Sequence, residues 1–298
     1  MSSDSESCNM VKQRPILRIW EGDFGVPTID PDSLRIWTYL KINKIEFDVE
    51  VCSFPFLKPI PSLIVGSKIF NGIKTIWDKL QRMKSSNTDK KYSVMEQSRI
   101  MAYVSYVFEC LETATNINLW VNERNYINFT RTWYRTAIYF PFNYIHIKKI
   151  KDRVDKHIAF LARDVSIEEF SKLEYEKAQK CMSDLSVLLG DKTYFMGTYP
   201  TTLDAYVFGY LCLLLNAPFP DNTLQNILKG FPNLVQYVHY VSRTYFPDVK
   251  EENKYIKKKT PTENEEEVPT KMVVVAGIFA FTAMFAYATM IGQFKIQK

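Results

Sequence analysis

The side chains best suited to metal or nucleophilic chemistry are few and widely spaced. The histidines are His146, His157 and His239, and the cysteines are Cys8, Cys52, Cys110, Cys181 and Cys212. A zinc site needs Cys or His at short fixed spacings, such as a C-x-x-C pair matched by a second pair. No such spacing occurs, so the chain reads as having no metal site and no cofactor. An odd number of scattered cysteines fits free, mostly buried thiols in a reducing compartment. The net charge is only +5 over 298 residues, too weak to point to nucleic acid.

Two patterns have sharper spacing. Between Arg124 and Ala137, a 100° helical step gathers Tyr126, Phe129, Trp133 and Ala137 on one face. The same step gathers Arg124, Asn128, Arg131 and Arg135 on the other. The aromatic stripe reads as domain core. The arginines form either a solvated face or a partner surface of Arg124, Arg131 and Arg135, whose guanidinium groups dock acidic residues or anionic headgroups in bidentate fashion. The second pattern is Thr201-Thr202-Leu203-Asp204, ahead of the apolar run Ala205–Ala217. A threonine followed three residues later by an acid is a capping-box variant, so Thr201 and Asp204 read as structural.

The elements that must carry these residues fall into two sets. Ile16–Trp20 is a short apolar strand, followed by a loop with Gly22, Gly25 and Pro27. Asp30 then caps a helix that Pro31 opens. Phe47–Cys52 alternates, with Phe47, Val49 and Val51 on one side, which predicts a half-buried strand. Ser62–Val65 and Lys68–Phe70 flank Gly66-Ser67 as a hairpin, and Gly72–Leu80 returns to helix. Strand, helix, strand, hairpin and helix make a thioredoxin-like α/β unit over residues 15–80, and in that unit Pro61 is expected in the cis form. A polar linker, 81–93, leads to an all-helical domain, 94–247, in which Glu168–Leu189 stops at Gly190. Residues 1–14 read as disordered and 248–271 as a charged tether.

The remaining segment is apolar without interruption. Met272–Ile291 has no charged residue and, at about 1.5 Å per residue, spans a hydrocarbon layer of roughly 30 Å. Val273, Val274, Val275, Ile278, Phe279, Phe281, Phe285 and Ile291 each favour insertion by about 0.3–0.6 kcal/mol. The segment therefore reads as a transmembrane helix of modest hydrophobicity over 272–291. The tail 292–298 follows it, with Lys295 and Lys298 as a targeting flank. Seven residues after the anchor imply insertion once synthesis has ended. Lys254, Lys257, Lys258, Lys259 and Lys271 before the anchor outnumber the two lysines after it, which places the large domain in the cytosol. The opening MSSDSESCNM has acids and no apolar core, unlike a secretory or matrix-targeting leader.

A thioredoxin-like unit, a helical domain and a capping box before a buried helix together resemble the glutathione transferase fold. Four stretches are similar to the metaxin family: GDFGVPTIDPDSL from Gly22, NYINFTRTWYRTAIYFPFNY from Asn125, TTLDAYVFGYLCLLLNAPFP from Thr201 and FPNLVQYV from Phe231. The resemblance covers about residues 16–247. It implies a mitochondrial outer-membrane protein of the protein import and sorting and assembly machinery, beside its β-barrel core, paired with a second metaxin and linked to motor-adaptor proteins. One departure is Ser53–Pro61, SFPFLKPIP, where the family has a W-R-S-P-S-G-x-L-P type of segment. A tail-anchored protein of the ganglioside-induced differentiation-associated type and a glutathione-dependent enzyme stand as alternatives.

The enzyme alternative meets a chemical objection. Transferases of this fold use a hydroxyl or thiol just after the first strand to stabilise the glutathione thiolate. Here that stretch is Glu21, Gly22, Asp23, Phe24 and Gly25, and its carboxylates would repel a thiolate. Where the fold's enzymes hold the glutathione carboxylate, an alignment on Ile76 puts Gly72 and Ile73, neither of which has a hydroxyl. The reading is a scaffold or adaptor with no catalytic residue.

Overall fold

The computed structural model describes residues 14–56, 58–83, 88–249 and 270–290, with side chains in the last stretch described over 277–287. Strand β1 (Ile16–Ile19) sends Leu17 and Ile19 into the core, while Arg18 on its other face pairs with Glu50 at 2.9 Å. Helix α1 (Pro31–Ile42) starts where the sequence says it should. The Asp30 Oδ2 accepts from the Ser33 N–H at 2.9 Å, and Pro31 needs no hydrogen-bond acceptor in the first turn. Strand β2 (Asp48–Val51) returns parallel to β1, and β3 (Ser62–Val65) and β4 (Lys68–Asn71) form an antiparallel hairpin. The strand order is β2-β1-β3-β4, with β3 antiparallel to β1. Helix α2 (Ile73–Arg82) closes this thioredoxin-like mixed sheet.

The edge strand departs from its alternation. Val49 and Val51 remain 39% and 53% exposed, whereas Glu50 is half-buried. At this edge Phe47 packs against the core, and the opposite face is held by Glu50 between Arg18 and Lys58.

A 3₁₀ turn (Thr88–Lys91) leads into the helical half: α3 (Val94–Asn116), a π-helical turn (Ile117–Val121), α4 (Glu123–Asn125), a second π-helical turn (Tyr126–Thr130), α5 (Arg131–Ala137), α6 (Phe142–Ala162), α7 (Ile167–Leu189), α8 (Thr202–Asn216), α9 (Thr223–Lys229) and α10 (Pro232–Tyr245). Helix α7 ends at Gly190, whose φ of +52° is a left-handed value that suits a residue without Cβ. The apolar run 205–217 becomes α8, buried along nearly its whole length.

The two halves share one core. Ala205 of α8 sits with Leu17, Ile36, Leu40, Leu63 and Ile76 of the sheet unit, and Trp77 stacks on Tyr206 at 5.0 Å. Gly209 faces Arg35 of α1 so closely that a Cβ would lie 2.2 Å from the Arg35 Cγ. Part of the 81–93 segment is structure rather than linker. Helix α2 runs to Arg82, the Asn43 Oδ1 accepts from the Thr88 N–H at 2.8 Å, and buried Asp89 accepts from the Thr202 N–H at 2.9 Å.

Residues 1–254 and 255–298 are separate units. The second contains α11 (Thr270–Met290). Within it Ile278, Phe279, Phe281 and Phe285 are exposed, and Val273–Val275 belong to the helix. Ile291, Lys295 and Lys298 lie outside the described residues, as do 1–13 and most of the 248–271 tether. Among the described residues no helix is long and apolar enough to cross a membrane.

Candidate functional site

The loop after β1 occupies the place where a transferase would do its chemistry. Its path is tight: a Cβ on Gly22 would lie 2.3 Å from the Pro27 carbonyl oxygen, and the Val26 N–H donates to the Asp23 carbonyl at 2.9 Å. The Asp23 carboxylate is buried. Its Oδ1 accepts from the Phe24 N–H at 2.9 Å, and its Oδ2 accepts from the Trp133 Nε1–H at 3.2 Å.

Aromatic rings fill the space beside this loop. Trp20 meets Tyr134 edge-on at 5.2 Å, Trp133 at 6.4 Å and His146 at 5.7 Å. Phe24 meets Phe129 at 5.6 Å, and Phe129 meets Phe219 at 4.8 Å. The departing segment Ser53–Pro61 joins the same wall, with Phe54 and Phe56 at 5.1 and 5.3 Å from Phe142. The Ile60–Pro61 bond is cis, as is Phe140–Pro141. Burial, assisted by Lys149 and Arg153, pushes the His146 imidazole down to about 4. At neutral pH it is therefore uncharged and too weakly basic for general-base work, which favours a pKa near the working pH.

The 125–134 stretch is fixed from both sides. The Asn125 Nδ2 donates to the Asn118 Oδ1 and to the Asp221 carbonyl, both at 3.0 Å, and its Oδ1 accepts from the Asp221 N–H at 2.7 Å. The Thr130 Oγ1 donates to the Leu119 carbonyl at 2.6 Å, tying the two π turns together. Phe129 and Trp133 are buried, Tyr126 and Ala137 half-buried.

The arginine row does not survive as one face. The row assumed 100° per residue throughout, but the five residues of the π turn advance by less per step, and Arg131, directly after it, leaves the exposed face. Arg124 and Arg135 are exposed, whereas Arg131 is half-buried, its guanidinium 5.9 Å from the Tyr126 ring centre. The Arg135 Nη2 donates to the Tyr144 hydroxyl at 3.1 Å.

Thr201 and Asp204 meet at the start of α8. The Asp204 Oδ2 accepts from the Thr201 N–H at 2.7 Å and from its hydroxyl at 2.9 Å. The Asp204 Oδ1 accepts from the Phe195 N–H and the Tyr237 hydroxyl, both at 3.2 Å. Burial pushes this carboxyl up to about 6, against those hydrogen bonds, which favour the ionised form. Sequence reasoning found the cap but not Phe195, Tyr237 or Asp89, which lie 9, 33 and 113–115 positions away in the chain and leave no local pattern.

Comparison with known proteins agrees with the fold and adds the family. The architecture matches a beta-etherase, LigF, from Sphingobium (TM-score 0.52, 16% identity, 76% of this chain and 94% of that one). It also matches a glutathione transferase from Phanerochaete chrysosporium (TM-score 0.53, 10% identity, 80% and 99%). Identities this low speak for the fold alone. Residues 178–241 match the glutathione S-transferase C-terminal domain, and 33–151 match the family described as outer mitochondrial membrane transport complex protein. Over 288 residues the chain is 30% identical to mouse metaxin-1, covering 94% of this chain and 90% of the relative. The chain belongs to the metaxin family. A metaxin-1 homolog from Caenorhabditis briggsae is 31% identical over 238 residues, covering 78% of this chain and 74% of its own. Coverage of 94% of the chain means that the metaxin likeness spans both the sheet and the helical half.

Proposed function

We propose that this metaxin-family chain is a non-enzymatic adaptor of the mitochondrial outer-membrane protein import and β-barrel assembly machinery. In this reading its large domain faces the cytosol, and it pairs with a second metaxin and with the assembly barrel. The observation that carries it is the Asp23–Trp133 hydrogen bond within the aromatic wall. Together they occupy the region where a transferase needs an open cleft and a thiolate-stabilising hydroxyl, and they turn a catalytic loop into packing. The match of 33–151 to an outer-membrane transport family supports the location.

The reading has an anchor at 272–291, with Lys295 and Lys298 setting its destination. Replacing both lysines by Glu should impair delivery to mitochondria, and unchanged delivery would remove that part. The partner surface narrows to Arg124 and Arg135, because Arg131 is half-buried. Crosslinking and mass spectrometry on native outer membranes test the whole. Crosslinks from the chain to a second metaxin and to the barrel are expected, and saturable glutathione binding with no such crosslinks would overturn it.

A further inference from the structure

Between Glu123 and Asp152 the chain has no acidic residue, yet it carries Arg124, Arg131, Arg135, Lys148, Lys149 and Lys151. The structure gathers part of this stretch into an exposed knuckle where α5 hands over to α6. Tyr139, Phe140, Tyr144 and Ile145 are 61%, 47%, 53% and 57% exposed, four large side chains within seven positions. Isolated exposed apolar residues are ordinary, but a contiguous group of this size marks an interaction site. Arg135 lies against Tyr144, its guanidinium 5.3 Å from the ring centre. One turn beyond Ile145, Lys148 and Lys149 are exposed and in no ion pair among the described residues, whereas Lys151 is held by Asp155.

We infer that this knuckle is a membrane-contact site: Tyr139, Phe140, Tyr144 and Ile145 enter the headgroup layer of an anionic bilayer, and Lys148 and Lys149 meet its phosphates. The inference rests on the outer-membrane reading proposed above and adds a second point of contact, distinct from the anchor. Three features select a lipid surface over an acidic protein. The apolar members are mostly aromatic, two of them tyrosines with a polar tip, the composition that settles at a membrane–water boundary. The lysines are point charges on flexible stems, suited to mobile headgroups rather than to fixed bidentate carboxylates. Finally, 124–151 carries basic residues and no acid, the first acids on α6 being Asp152 and Asp155, so an anionic leaflet attracts the knuckle.

The test uses the full chain embedded in lipid nanodiscs, either neutral phosphatidylcholine or the same lipid with 30% phosphatidylserine, read by amide hydrogen exchange over 138–149. Exchange of the turn amides around Tyr139 and Phe140 should slow at least threefold in the anionic discs. The variant Lys148→Glu/Lys149→Glu should abolish that difference, since a change of four charge units weakens attraction to an anionic surface on the order of a thousandfold. Tyr139→Ser/Ile145→Ser should reduce protection with the charges intact, and both pairs are exposed enough to leave the fold alone. Equal exchange in neutral and anionic discs overturns the inference while the embedded chain still satisfies the functional reading. Failure of the chain to embed in either disc overturns both. Protection that appears only when two copies share a disc, or only when a soluble acidic protein is added, would assign the knuckle to protein contact and also overturn it.

Discussion

Replacing Asp204 by Ala should cost far more than an exposed helix cap. A cap alone is worth about 0.5–2 kcal/mol. Asp204 is fully buried, and its two oxygens take four donors: the Thr201 N–H and hydroxyl, the Phe195 N–H and the Tyr237 hydroxyl. Alanine would leave the two backbone N–H groups and the Thr201 hydroxyl without this acceptor, while Tyr237 keeps the Asp204 carbonyl at 3.1 Å. At roughly 1–1.5 kcal/mol for each lost partner in a dry site, the loss is about 3–5 kcal/mol. Thr201→Ala removes one hydroxyl contact and should cost only about 1 kcal/mol. With about 2–4 °C per kcal/mol for a domain of this size, the melting temperatures should fall by roughly 6–20 °C and 2–4 °C respectively. Asp204→Asn keeps one accepting oxygen but turns the other atom into a donor facing donors, so it should recover no more than half. Circular dichroism melts of a chain ending at Val249 measure all three. Equal losses for Asp204→Ala and Thr201→Ala would refute the idea that Asp204 joins three segments.

Further outcomes follow from other contacts. Gly209→Ala should destabilise by about 1–3 kcal/mol, because the new Cβ has only the Arg35 stem and backbone to displace; an unshifted denaturant midpoint would contradict that packing. Burial raises Asp204 to about 6 and Glu112 to about 7, so the folded state keeps protons that the unfolded chain releases near pH 4. Stability should therefore decline as pH rises from about 4 to 7, by up to about 1.4 kcal/mol per pH unit for each group titrating in that window, and midpoints that rise over the range would reverse the sign. Trp133→Phe should cost about 1 kcal/mol by removing the donor to Asp23 while keeping the ring stack, and a loss of 3 kcal/mol or more would mean the indole does more than this. Arg124→Glu/Arg135→Glu should leave the melt unchanged but weaken co-purification with a second metaxin; wild-type recovery would mark both as solvated.

Local chemistry made much of the fold legible. Asp30-Pro31, Gly66-Ser67 and Gly190 each constrain the backbone at their own position, and 205–217 is too apolar for any place but the core. What sequence missed was decided by distant partners. Asp89 sits in a polar stretch that reads as linker, and α8, more than a hundred positions on, supplies the Thr202 N–H and hydroxyl that it accepts. Val49 and Val51 alternate as a buried face should, but an edge strand has no neighbour to cover them. At the candidate site the aromatic residues Phe129 and Trp133 were correctly read as core. In the arginine row only Arg131 departs, half-buried directly after a π turn that no simple periodicity announces. The knuckle did leave a signal, the run YFPFNYI followed by IKKIK, but a solvent-facing cluster of rings breaks the usual inside–outside pattern.

The shared core has a consequence for synthesis. The sheet half is finished only when Ala205 and Tyr206 arrive against α1 and α2, and the Asp89–Thr202 latch needs the same docking. At 5–20 residues per second, the ribosome takes roughly 7–27 s to travel from Leu80 to Asn216. Throughout that interval the apolar side of the nascent sheet unit, with Ile36, Leu40 and Trp77, lacks the cover that Ala205 and Tyr206 supply. Docking of α8 is therefore the step that completes the core of the sheet unit. Truncations that end before Asn216 would lose the sheet along with the helices.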